Sequence, residues 1–388
     1  MKVPLLDLKL QYAPLHNDVS EAMLRVAQSQ VLVLGPETAK LEQTLAAYTD
    51  CAYAVGCSSG TDALLMALMA LDIQPGDEVI MPTFSFFATA GVVARLHAKP
   101  VFVDSDPVSF NVDPEKIRQA ITSKTKAIIP VHLFGQSSDM DAIMAIANEH
   151  NIPVIEDGAQ ALGTQYKDGR KSGSIGLMGC FSFYPTKNLG AFGDAGLVTT
   201  NDEQLYIKLK QMRNHGMEPR YYHKFVGGNF RIDEIQSAVL NAKYPHLENW
   251  HSGRQANAAY YTELLLQHGL ATTTGCTEFT STEKVLLPAE VHKTGGAKNH
   301  HIFNQYCIRV QKRDELRQFL ASKEIGSEIY YPVPFHRQEC FAYLGCNDAD
   351  FPVANALADT VMALPIFPEL QREQIEFVVQ TIKEFISL

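Results

Sequence analysis

Between residues 53 and 157 the sequence keeps changing its hydrophobic period. Short apolar runs, "YAVGCS" (53–58), "DEVIMP" (77–82), "PVFVD" (100–104), "AIIPVHL" (127–133) and "PVIED" (153–157), read as strands. Between them lie "TDALLMALMAL" (61–71), "ATAGVVARL" (88–96), "DPEKIRQAI" (113–121) and "DMDAIMAIANEH" (139–150), whose apolar residues recur at helical spacing. Strand and helix take turns four times. Such an order builds right-handed crossovers, so it predicts an α/β fold: a mainly parallel sheet with helices on both faces. "CFSFY" (180–184) and "GLVTT" (196–200) bring the sheet to seven strands, with too short a link between these two for a helix. Beyond residue 250 the rhythm changes. A long helix over 245–269 leads through a threonine-rich stretch to "FNQYCIRV" (303–310), "RDELRQFLASKEIG" (313–326) and a terminal helix over 370–388. The expected division is a large domain over 1–250 and a smaller C-terminal α+β domain over 251–388.

Composition excludes several classes. The 388 residues are 46% apolar, enough for a large core. A formal charge of -10 argues against a nucleic-acid or anionic-membrane surface, since those partners select clustered lysine and arginine. No apolar run approaches the roughly 18 to 20 residues of a membrane span, and the N-terminus lacks the apolar core of a signal peptide, so a cytoplasmic location is expected. Seven scattered cysteines, never spaced Cys-x-x-Cys, suggest neither a disulfide framework nor a metal site.

Parallel α/β sheets bind ligands outside the carboxyl ends of their strands. In "SSGTDAL", Ser59, Gly60 and Thr61 occupy a strand-to-helix junction whose free N–H groups favour an anion, although Thr61 also suits a plain N-cap. Asp157 ends an apolar strand, where a carboxylate is costly unless a cation or donors compensate it; its alternative is a loop cap. "PTFSFFATA" sets Phe84, Phe86 and Phe87 after another strand, as core or as a flat wall. Lys187 follows the strand next in order, in "FSFYPTKNLGAFGDAG". A phosphate cradle, an aromatic wall, a buried carboxylate and a lysine are together what pyridoxal phosphate needs: the lysine for a Schiff base with its aldehyde, the carboxylate to keep its ring nitrogen protonated. The G-x-G-x-x-G of a dinucleotide site is missing from "GCSSGTDAL".

At this point the sequence resembles the DegT/StrS family of nucleotide-sugar aminotransferases, which share the aspartate-aminotransferase fold (fold type I). The resemblance spans nearly the whole chain, through "LGPETAKLEQTLAAYTDCAYAVGCSSGTDALLMAL", "GDEVIMPTFSFFATA", "KPVFVDSDP", "PVIEDGAQALG", "FSFYPTKNLGAFGDAGLVTT", "RNHG" and "GGNFRIDEIQSA" in order. It implies that Lys187 carries pyridoxal 5'-phosphate and Asp157 pairs with its ring nitrogen. Gly60, Thr61 and Ser182 hold the phosphate, Phe86 stacks on the ring, and Gln160 lies by the phenolic oxygen. Asn229 reaches the phosphate of the neighbouring subunit in a homodimer with shared active sites.

The implied reaction carries the amino group of glutamate to a nucleotide-linked (dTDP- or UDP-) keto sugar for amino-sugar biosynthesis. "NHHIFNQYCIRV" and "SEIYYPVPFH" offer His301, Tyr331 and His336 as substrate contacts, and Asn304 stands where members often have a second histidine. Arg220, Tyr222 and His223, in the loop over 216–228, are candidates for the nucleotide phosphates. The "YYPVPFH" form is similar to members that aminate C3. Amination at C4 and a non-catalytic cofactor-binding regulator are the alternatives.

Overall fold

A computed structural model describes residues 1–293 and 296–388. Seven strands build the main sheet: β1 (Tyr53–Cys57), β2 (Glu78–Pro82), β3 (Lys99–Val103), β4 (Thr125–Ile128), β5 (Ile155–Asp157), β6 (Met178–Ser182) and β7 (Gly196–Thr200). Ladders give β1-β7-β6-β5 and β3-β2-β4. Bridges Ile128–Val154 and Val131–Asp157 join them into β1-β7-β6-β5-β4-β2-β3. All contacts are parallel except those of β7, which runs against both β1 and β6. The expected seven-stranded, mainly parallel sheet is present. β4 is shorter than the run 127–133 suggested: Pro130 has no N–H to give a ladder, although its carbonyl still accepts from the Asp157 N–H at 2.9 Å.

Alternation along each strand assigns the two faces. Val55, Cys180 and Val198 turn toward one core, where the helix Gly60–Ala70 packs with Ala63 through Leu68 all buried. Ala54, Phe181 and Leu197 turn to the other, beneath Leu41, Leu45 and Val239 of two further helices. One of these, Pro36–Tyr48, has no side-chain cap of its own. Glu234 supplies it: the buried carboxylate accepts from the N–H groups of Gly35 (2.9 Å), Glu37 (2.5 Å) and Thr38 (3.2 Å), placing negative charge at the positive end of the helix.

The C-terminal part holds a small antiparallel sheet, ordered β10-β9-β8, from β8 (Val285–Leu286), β9 (Tyr306–Val310) and β10 (Val361–Leu364). Its core takes in helices Arg313–Ser322 and Arg372–Ser387, and also Val3, whose segment bridges Ile325. The helix Leu247–Gln267 enters both cores. Leu247 and Trp250 pack with the large sheet, and Ala258, Tyr261 and Leu265 with the small one. No helix among the described residues is long and apolar enough to cross a membrane.

The two parts are also joined at Asp104, just past β3. This buried carboxylate accepts from the N–H groups of Val353 (2.9 Å) and Ala354 (2.8 Å), in the first turn of the otherwise uncapped helix Pro352–Thr360. Asp104→Ala strands both donors and is expected to cost about 1–3 kcal/mol, read as a lower urea midpoint. An unchanged midpoint would show that the cap carries no weight.

Candidate active site

Parallel pairing sets Asp157 of β5 opposite Cys180 of β6. Both strands end at the same edge of the sheet; β6 runs on to Ser182, and the loop that returns as β7 carries Lys187. The loop is held by its own backbone: Phe183 N–H donates to Ala195, Ala191 N–H to Phe183 and Lys187 N–H to Tyr184, each at 2.8 Å. The Lys187 side chain is half-buried. Burial lowers its amine to about 8, and the Asp157 carboxylate pulls the other way. Burial likewise raises Asp157, against two donors, Thr89 Oγ1 at 2.8 Å and the Ala159 N–H at 3.1 Å.

Its neighbour Glu156 faces the opposite side of the strand and is 0% exposed. It accepts from His132 Nε2 (2.8 Å) and from the N–H groups of Gly173 (2.8 Å), Ile175 (2.8 Å) and Gly176 (2.6 Å). Burial pushes this carboxyl up, but these donors outweigh it and hold it below the usual range.

At the end of β1 the N-cap is Ser59, whose Oγ accepts from the Asp62 N–H at 3.1 Å. Thr61 is therefore not the cap; it sits exposed in the first turn, where N–H groups have no helical acceptor. Gly60 lies against β6: a Cβ there would stand 2.6 Å from Ser182 Cβ, so only glycine brings the helix start this close. The junction and Ser182 form one cradle.

The phenylalanines divide. Phe84 is core, whereas Phe86 stays 57% exposed beside Tyr331, ring centroids 6.2 Å apart. Tyr331 comes from the C-terminal part, and its hydroxyl accepts from Gln160 Nε2 at 2.9 Å; Gln160 Oε1 in turn accepts from the Phe134 N–H at 2.6 Å. Gln160, Ser182, Lys187 and Asn304 line one small cavity.

Six candidates lie outside this group, of which Arg220, Tyr222 and His223 are exposed in the loop over 216–228. Asn229 is exposed in an adjoining cleft of about 630 Å³ that it shares with Ser59 and Arg231. His301 is buried, stacked on Phe303 with centroids 3.9 Å apart, its Nδ1 accepting from the Phe303 N–H at 3.0 Å; burial lowers it to about 3, a neutral ring. His336 is buried among Thr83 (2.8 Å), Asp348 (3.1 Å) and Asn355 (3.1 Å). Thr89 and the His132–Glu156 pair went unread in the sequence; a threonine at helical spacing in "FFATA" gave no sign of the carboxylate 68 residues on.

A family model described as the DegT/DnrJ/EryC1/StrS aminotransferase family matches residues 15–383. The chain is 46% identical over 385 residues, 99% of each, to a pleiotropic regulatory protein of Geobacillus stearothermophilus. It is 43% identical over 381 residues to a UDP-N-acetyl-3-dehydro-alpha-D-glucosamine 3-aminotransferase of Acidithiobacillus ferrooxidans, covering 98% of this chain and 97% of that one. The crystal structure of S. venezuelae DesV superposes with a TM-score of 0.90 at 37% identity, covering 100% of this chain and 99% of the other.

In the cofactor-free protein, acylation of Lys187 followed by peptide mapping is expected to titrate with a midpoint near the value of about 8. Asp157→Asn removes the charge that favours the ammonium, so the midpoint should fall. A midpoint near that of free lysine, or a rise in the variant, would contradict this geometry.

Proposed function

The chain belongs to the DegT/DnrJ/EryC1/StrS aminotransferase family, and on that premise we propose that it is a pyridoxal-phosphate-dependent aminotransferase moving an amino group from glutamate to C3 of a nucleotide-linked keto sugar. The observation that carries the reading is that Lys187, in the loop after β6, feels the charge of Asp157 at the end of the adjacent parallel strand β5, beside the Gly60–Ser182 cradle. C3 and a uridine-linked sugar follow the Acidithiobacillus relative; a dTDP-linked sugar is the other nucleotide to test.

The residues fit the cofactor. Bound there, pyridoxal phosphate supplies an aldehyde for the amino group and a protonated ring that takes up the electron pair of the breaking C–H bond. Ser59, Gly60, Thr61 and Ser182 hold the phosphate with first-turn N–H groups and hydroxyls. Phe86 would cover the cofactor's ring and Gln160 would lie toward its phenolic oxygen. Asp157, fixed by Thr89 and the Ala159 N–H, keeps the ring nitrogen protonated. Lys187 would hold the cofactor by its aldehyde, and its Nζ, once free, would take the α-proton of the donor. Burial, which lowers this amine to about 8 in the cofactor-free chain, favours the neutral form a base requires.

The working unit is a homodimer with shared sites, in which Asn229 turns to the partner's cofactor phosphate. Apolar side chains left exposed at Val31, Leu32, Val33, Tyr184 and Phe192 support this. Tyr331 serves the sugar; His301 and His336, both enclosed, shape the walls behind it. The second reading is a cofactor-binding regulator without turnover. It draws on the regulatory name of the Geobacillus relative, and the complete lysine, carboxylate and cradle set weighs against it.

Glutamate offered with UDP- and dTDP-linked 3-keto and 4-keto sugars is expected to yield 2-oxoglutarate with a 3-keto sugar. Release with no sugar in the panel would favour the regulator. Lys187→Ala should lose both transfer and the visible absorbance of the bound cofactor, and sustained turnover in that variant would refute the assignment. Asp157→Asn should keep the cofactor while the rate falls on the order of a hundredfold, about 3 kcal/mol of barrier. A near-normal rate would remove Asp157 from its role.

A further inference from the structure

Asn188 follows Lys187 directly and is only 4% exposed. Its Nδ2 donates to the Ile302 carbonyl at 3.2 Å, which fixes the sense of the amide, because the flipped group would set oxygen against oxygen. Oδ1 is consequently buried with no hydrogen-bond partner among the described residues. A buried carbonyl oxygen without a donor is costly, and natural proteins leave few of them.

The cavity this residue lines also contains Lys187, Gln160, Ser182 and Asn304. Two of the amides around it are already partly engaged. Gln160 Nε2 is on Tyr331 and Asn304 Nδ2 is on Gln305 at 2.7 Å. The Ser182 hydroxyl is given to the phosphate in the reading above, on which this inference rests. The Lys187 amine lines the same cavity and makes no hydrogen bond among the described residues, and four methylenes allow it to swing toward its neighbour.

We propose that Asn188 is a positioning residue for Lys187. Its Oδ1 accepts an N–H of the lysine amine whenever that amine is not joined to the cofactor, parking Nζ in the cavity between one proton transfer and the next. Nδ2, anchored on Ile302, keeps the acceptor from turning away.

The test uses the full chain and two variants, Asn188→Leu, of similar shape without the amide, and Asn188→Ala in case leucine disturbs folding. In the cofactor-free protein the amide oxygen favours the ammonium, so both variants should lower the acylation midpoint of Lys187 by about one pH unit. In the loaded enzyme, single turnover with glutamate deuterated at the α-carbon should be roughly tenfold slower, with a larger isotope effect and an unchanged KM. If Asn188 only tethers Ile302, both variants will melt earlier while midpoint and isotope effect stay at their wild-type values, and the proposal fails. Borohydride reduction of the loaded wild type, followed by peptide mapping, keeps the two readings apart. Label at a residue other than Lys187 overturns the proposed function; label at Lys187 with an unmoved midpoint overturns only the role of Asn188.

Discussion

The buried carboxylate of Glu156 is the constraint on which the site rests. It has four donors, three of them backbone N–H groups of the turn leading into β6 and the fourth His132. Side chains alternate along a strand, so securing Glu156 on one face commits Asp157 to the other. A slip of one residue between β5 and β6 would tear four charge-assisted bonds out of a dry interior while burying Asp157 without Thr89. The side chain that fixes the orientation of Asp157 is thus its neighbour on the opposite face.

A second constraint acts across the sheet. Gly60 permits the start of its helix to touch Ser182, so the first-turn N–H groups of one element and the hydroxyl of another converge without a long side chain. Convergence by backbone contact loses little rotamer entropy when a ligand arrives. Tyr331 and Gln160 make the corresponding join from the C-terminal part.

The alternation of periods in the first half of the chain made the sheet legible, since strands buried on both faces read as continuous apolar runs. What escaped carried a narrow or very short apolar pattern. The helix His16–Ser29 buries only Val19, Ala22 and Val26, and β8 is two residues long. At the site, Asp157 was legible because a charge at the end of an apolar strand is unusual, and Lys187 because a phosphate cradle, an aromatic wall and that carboxylate accompany it in the sequence. The capping role went to Ser59 rather than Thr61, a choice of one backbone conformation that composition does not encode. His301 and His336 attracted notice as polar residues in a matched motif, yet both are enclosed by protein. The pairing of Gln160 with Tyr331 spans 171 residues, and nothing local announces it.

The helix Leu247–Gln267, rooted in both cores, extends about 31 Å at 1.5 Å per residue. Midway along it the buried Arg254 grips the carbonyls of Phe303 (3.1 Å), Asn304 (3.4 Å) and Ile366 (2.9 Å). Asn304 borders the lysine cavity. One guanidinium on this shaft therefore ties two stretches of the C-terminal backbone to each other and to the wall of the cavity that Lys187 lines.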